Sequence, residues 1–279
     1  VNRRRFLKVL GFGALGVIGV GIGTPTYGWL EAHRFGVSRH AFKLKGLEKP
    51  LRLVQLSDLH FGRWHGLNEV RAWVDVTLRE QPDLIVITGD IVDGRTSPEK
   101  IAALAHELGR LTAPLGVFAV LGNHDYFQHQ GSWNHGTGVM ISSFERVGLR
   151  YLRNAGTLVR DDLFLAGVDD FWMGNPDASH AIQDAPPRSA SILLNHNPDY
   201  LPKIPSSVGL TLCGHTHGGQ IRAPFGIGLY SISKYGERFQ MGFVKAPTPA
   251  FVSRGLGTTG PPVRTFCPAE LVVLSLSPT

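Results

Sequence analysis

Five short apolar runs along this 279-residue chain end abruptly in small or polar residues. Residues 51–56 run into Ser57-Asp58-Leu59-His60, residues 84–87 into Thr88-Gly89-Asp90, and residues 117–121 into Gly122-Asn123-His124-Asp125. Residues 191–194 run into Asn195-His196, and residues 210–213 into Gly214-His215-Thr216-His217. Runs of β-branched and aliphatic residues closed in this way predict buried strands. Between the first of them the period changes. Residues 67–79 bring Val70, Trp73, Val74, Thr77 and Leu78 to one helical face, and Pro82 closes the segment. Ser97 caps a second predicted helix, with Pro98 at its first position and its end near Leu111. Strands alternating with helices predict an α/β sheet with its site at the carboxyl ends of the strands. Three later runs, residues 164–168, 249–253 and 270–274, lack clear intervening helices. A second, more antiparallel sheet packed on the first is therefore expected.

Hydrophobic content of 43% and charged content of 18% are ordinary for a chain with a real core, but the net charge of +6 is unevenly placed. Nine basic and two acidic side chains fall within residues 1–49, so the remainder carries a net charge of −1. A nucleic-acid-binding domain carries its basic footprint on the folded part, so no nucleic-acid partner is expected. The basic residues instead gather at the N-terminus, where Arg3, Arg4 and Arg5 precede Phe6-Leu7-Lys8 and resemble a twin-arginine export signal. Residues 9–30 hold no charge and are long enough to span a bilayer as a helix; their seven glycines lower the hydrophobicity, as suits such a signal. No A-x-A-like cleavage site follows. Residues 1–30 are thus expected to be a twin-arginine signal and uncleaved membrane anchor, recognised by the Tat translocase. Residues 31–49 are expected to be a basic linker with an edge strand at 40–44, and residues 50–279 the catalytic domain. The expected location is the bacterial inner membrane, with the domain outside the cytoplasm. Two cysteines, Cys213 and Cys267, make no disulfide framework, and Cys213 is expected to pack beneath the site.

The residues that close the strands are metal ligands by type. Two divalent cations need one carboxylate that reaches both, with further oxygen and nitrogen donors completing each shell. Asp90, in the middle of the series, suits the bridging place. Asp58, His60 and His217 complete one site, and Asn123, His196 and His215 the other. Imidazole and carboxylate without thiolate suit Mn, Fe, Zn or Co. His124, beside Asn123, is placed to donate a proton to a leaving alkoxide. Asp93 either orients that imidazole or serves as a turn residue ahead of the second helix.

The series Asp58-x-His60, Gly89-Asp90, Gly122-Asn123-His124-Asp125, His196 and Gly214-His215-x-His217 resembles the calcineurin-like metallophosphoesterase superfamily. The stretch from Gly214 to Arg222 and Ser253-Arg254-Gly255-Leu256-Gly257 resemble its bacterial YkuE/YaeI-like phosphodiesterase branch. The resemblance implies a four-layer α-β-β-α sandwich of two mixed sheets, supports the ligand assignment, and implies hydrolysis of a phosphoester by a dinuclear metal centre. Purple acid phosphatases match less well, since their pattern wants Tyr at the position of Asp93.

Candidate substrate contacts are Arg222, Arg254 and His65, each as readily a structural residue. The loops after the motifs are aromatic (Phe61, Trp64, Tyr126, Phe127, Trp133, Phe171, Trp172, Phe225, Tyr230), as an apolar rim for a lipid or a nucleobase would be. The expected substrate is a phospholipid or another envelope phosphoester at the membrane. Alternatives are a UDP-diacylglucosamine-type pyrophosphate hydrolase, a nucleotide phosphodiesterase or nuclease, and, least of all, a metal-free binding scaffold.

Overall fold

A computed structural model describes residues 26–94, 96–128 and 135–279. The signal segment before residue 26 and Trp133 lie outside the described residues. No helix among the described residues is long and apolar enough to cross a membrane.

The chain enters through helical residues 26–32 (α1) and then forms β1 (Phe35–Lys43) and β2 (Leu51–Leu56). Helix α2 (Leu67–Arg79), β3 (Leu84–Thr88), α3 (Pro98–Leu108) and β4 (Val117–Val120) follow, then α4 (His135–Glu145) and β5 (Leu149–Tyr151). The second half holds β6 (Ala155–Arg160), β7 (Leu163–Gly167), the single-turn α5 (Ala178–Ala181), β8 (Ala190–Leu194) and β9 (Leu210–Cys213). A short ribbon, β10 (Arg222–Ala223) and β11 (Ile227–Gly228), precedes β12 (Gly242–Lys245), β13 (Pro249–Val252) and β14 (Ala269–Ser277).

Two six-stranded mixed sheets result, in the orders β1-β14-β2-β3-β4-β5 and β12-β13-β9-β8-β7-β6. Each strand between them splits its side chains by the two-residue period. In β3, Leu84 and Val86 face the second sheet while Ile85 and Ile87 face the helices. In β9, Leu210 and Leu212 face the first sheet while Cys213 faces outward, among Phe164, Val252 and Phe239. Helices α2, α3 and α4 cover the outer face of the first sheet. The outer face of the second is covered by α5 and 3-10 turns, not by long helices.

The amphipathic segment 67–79 is α2, with Val70, Trp73, Val74 and Thr77 buried; burial of each large apolar side chain contributes about 1.5–3 kcal/mol. Glu69 accepts from the Gly66 amide at its start. Ser97 caps α3, its hydroxyl accepting from the Lys100 amide, and the helix ends at Leu108, three residues before the expected end.

Three expectations differ from the fold. The run at 270–274 belongs to the first sheet, where β14 lies antiparallel to β2 and parallel to β1. The second sheet is parallel through β7, β8, β9 and β13, with antiparallel strands only at its edges. Its connections are single-turn helices and 3-10 segments, too short to show a helical period. Within the expected linker, strand β1 begins five residues earlier than the edge strand at 40–44 and pairs with β14 along its whole length.

Candidate metal centre

Each ligand-type residue follows its strand by two or three positions: Asp58 after β2, Asp90 after β3, Asn123 after β4, His196 after β8 and His215 after β9. Parallel pairing of β2-β3-β4 and of β8-β9 brings those ends side by side. The backbone there is unusual. Asp58, His60, Asp90, His215 and His217 all have φ between 45° and 73°. Non-glycine residues seldom adopt that region, and each such residue costs on the order of 1–3 kcal/mol, so five together mark a functional constraint.

The side chains converge. Asp90 Oδ2 lies 3.6 Å from His60 Nε2 and 3.3 Å from His196 Nε2, between the two halves of the cluster. On one side, His217 Nε2 is 3.0 Å from His60 Nε2 and 3.5 Å from Asp58 Oδ1. On the other, His196 Nε2 is 3.3 Å from Asn123 Oδ1 and 3.2 Å from His215 Nδ1. None of these seven residues is more than 6% exposed. Asp58 with His60 and His217, and Asp90 with His196 and His215, each bring three ligand atoms within 4.8 Å of one another.

The donor set fits cations. His196 Nδ1 donates to the Thr88 carbonyl at 2.8 Å, so Nε2 is the nitrogen turned toward the acceptor oxygens of Asp90 and Asn123. Burial opposes a charge on His196, but Asp90 outweighs it and lifts the imidazole to about 10. The position therefore calls for positive charge. Although burial disfavours its own charge, the surrounding imidazoles, His196 foremost, hold the Asp90 carboxyl well below the usual range. Burial keeps His215 and His217 well below the usual imidazole range, and so neutral, as metal ligands must be.

His124 and Asp93 stand at the edge of the cluster, each with a side chain 24% exposed. The His124 amide donates to Asp90 Oδ1 at 2.8 Å, and its Nδ1 lies 3.1 Å from Asp93 Oδ1. Burial pulls the His124 imidazole down, but the hydrogen bond to Asp93 and the charges of Asp90 and Asp93 give a net upward shift. The same hydrogen bond holds the Asp93 carboxyl far below its ordinary value. Asp93 Oδ1 also lies 3.6 Å from His60 Nδ1, so the carboxylate stands between the two rings.

The candidate substrate contacts have other partners. Arg222 is buried; its guanidinium donates to the Gly218 and Gly226 carbonyls and pairs with Glu237 at 2.8 Å. Arg254 pairs with Glu270 at 2.7 Å. His65 is buried against Trp73 and His33, its Nε2 meets Thr258 Oγ1 at 3.0 Å, and burial drives its imidazole down to about 3. Among the loop aromatics Phe61 and Tyr126 are core, whereas Trp64, Trp172, Phe225 and Tyr230 are exposed. Trp172 stands edge-on to His215, with ring centroids 4.3 Å apart.

Sequence reasoning missed the residues that hold the ligands. Gln55 donates to Thr88 Oγ1, Thr88 to Ser57 Oγ, and Ser57 to Asp58 Oδ2, a chain of bonds from between the sheets to a ligand. Asp125 accepts from the Ile91, Val92 and Gly122 amides and ties the second and third motifs together. It was visible in the Gly-Asn-His-Asp run. Arg264 was not, being a lone tail residue; fully buried, it donates to the carbonyls of Arg254, Gly257 and Cys267. That loop in turn donates its Leu256 and Gly257 amides to the Ser57 and Asp58 carbonyls.

A family model described as calcineurin-like phosphoesterase matches residues 51–219. The metallophosphoesterase YkuE of Bacillus subtilis is 35% identical over 290 aligned residues, covering 100% of this chain and 99% of that protein. The phosphodiesterase YaeI of Escherichia coli is 32% identical, with 80% of each chain covered. The solved structure of TT1561 from Thermus thermophilus matches in fold, with a TM-score of 0.50 at 14% identity over 75% of this chain and 91% of that one.

Proposed function

The chain belongs to the calcineurin-like phosphoesterase family and is a metal-dependent phosphoester hydrolase; from that premise we propose that it cleaves a phosphodiester of a lipid or another envelope component at the membrane. The observation that carries the reading is the half-exposed Trp172 standing edge-on to His215, an apolar wall directly against the ligand cluster. A substrate with an apolar body beside its phosphate suits such a wall.

In this reading Asp58, His60, Asp90 and His217 would hold one cation, and Asp90, Asn123, His196 and His215 the other, drawn from Mn, Fe, Zn or Co. Bound there, a pair of divalent cations supplies Lewis acidity toward the phosphoryl oxygens and water that loses its proton near neutral pH. The chain's own residues do the rest. Asp90, its charge secured by the surrounding imidazoles, joins the two halves. His124, at the exposed edge, gives a proton to the leaving alkoxide, and Asp93 fixes its ring and favours its protonated form. The positive charge ahead of residues 9–30 supports a Tat-exported protein anchored in the bacterial inner membrane, with the cluster on the outer side.

The test is hydrolysis by the metal-loaded full chain, reconstituted in vesicles, of a panel of phospholipids, nucleotides and sugar nucleotides. Release from phospholipid diesters is expected. Turnover confined to soluble nucleotides would remove the lipid reading.

A further inference from the structure

Nine of the fourteen large apolar side chains exposed among the described residues lie in three segments, residues 26–30, 221–230 and 266, while the others are scattered. The three segments form one surface. Ile221 bridges to Thr265, the Arg264 amide donates to the Gly28 carbonyl at 2.9 Å, and the rings of Tyr27 and Phe266 lie 5.8 Å apart. The β10–β11 hairpin projects from it. At its tip Phe225 is fully exposed and has φ of 64°, an unfavourable backbone for an aromatic residue with no packing gain in return. Ile227, Leu229 and Tyr230 follow, each at least 60% exposed.

Within the three segments no exposed side chain is charged. Arg222 and Arg264 are buried with their donors on backbone carbonyls; Arg222 also pairs with Glu237, whose side chain is exposed beside the hairpin, and Glu31 of α1 accepts from the Cys267 amide. A patch this apolar is uncommon on a protein that meets only water. The chain leading into it indicates what covers it. Residues 9–30 carry no charge, and their last residues are the Tyr27, Trp29 and Leu30 of this surface. One apolar medium accommodates both, and Trp and Tyr favour its boundary with water.

We propose that the hairpin at residues 221–230, with α1 and Phe266, is a bilayer-docking platform that seats in the headgroup–acyl boundary. Ile221 lies only four residues after His217, so at most about 14 Å of chain separates the platform from the cluster. The platform thereby holds the metal centre close to the membrane, whereas the N-terminal segment alone would leave it on a tether. This goes beyond the proposed reaction and stands whichever phosphoester is cleaved.

The test uses the full chain, metal-loaded and reconstituted in vesicles of phosphatidylcholine and phosphatidylglycerol. Leu229→Cys and, separately, Ile227→Cys carry a polarity-sensitive fluorophore; Leu158→Cys, an exposed apolar site on β6, is the reference, and native Cys213 and Cys267 are buried. Since these side chains are exposed, a probe there removes little packing. A blue shift, with several-fold greater quenching by brominated acyl chains at 229 and 227 than at 158, is expected. Probes at 229 and 227 that stay as wet and unquenched as at 158 would overturn the proposal. So would shielding that appears without lipid and grows with protein concentration, because a second copy would then cover the face.

Discussion

His124 and Asp93 differ from the seven residues beside them in one measurable respect: water reaches them. The deeper side chains are fixed by burial and by strained backbone, while His124 is held by its amide to Asp90 and its ring to Asp93. A group so placed suits the proton transfer proposed for it. His124→Gln should keep its metal content and lose about 10²–10⁴ in turnover for alkyl leaving groups, as removal of a general acid does. The loss should be much smaller for p-nitrophenyl esters, whose leaving group needs no proton. Comparing the two ester series at constant metal content checks this, and equal losses would assign His124 another role. At this scale the sequence was most readable, because metal chemistry restricts residue type. What it could not reveal was that five of the residues would adopt positive φ, a property of the turn each occupies and not of its identity.

The strand, not the single residue, explains how ligands 157 positions apart meet, as the His215 amide and Asp58 do at 2.9 Å. Parallel strands end together, and the turns after them are packed so closely that glycine is required. A Cβ on Gly122 would run into Asp90 Oδ1, and one on Gly214 into Ser57 Oγ and Asp58 Oδ2. Gly255, with φ of 71°, passes so near Asp58 that a Cβ would lie 2.8 Å from its own. Gly122→Ala should therefore displace Asp90, weaken metal binding, and cost about 1–3 kcal/mol in overpacking. Metal titration and denaturant unfolding together check it, and unchanged metal affinity would contradict the packing argument. The same packing accounts for the Arg254-Gly255-Leu256-Gly257 run, which reads as a motif in sequence and proves to be a clasp over Asp58. Strands β2, β3, β4 and β9 were legible because buried runs need no partner to be recognised. The place of β14 was not, since a nine-residue apolar strand fits either sheet and only its pairing with β1 and β2 decides.

Across the whole molecule, charge and apolar surface are both gathered toward the N-terminal side. The basic excess lies in residues 1–49, and the exposed apolar side chains crowd around α1. If the arginine pair is an export signal, Arg3→Lys with Arg4→Lys should abolish export at constant charge, because a guanidinium pair is not replaced by ammonium groups. The domain of the native chain should be digested by protease added to spheroplasts, and that of the variant protected. Protection of both would place the domain in the cytoplasm and favour a glycolipid-precursor hydrolase. Wherever the domain lies, the account depends on cations between Asp58, Asp90, His196 and their neighbours. The most direct measurement is elemental analysis of fully active chain, followed by titration of metal back into chelator-treated protein. About two divalent transition metals per chain are predicted, with hydrolysis returning only as both places fill and Asp90→Asn losing both metal and activity. Hydrolysis that persists in protein free of transition metal, unaffected by chelators, would contradict it.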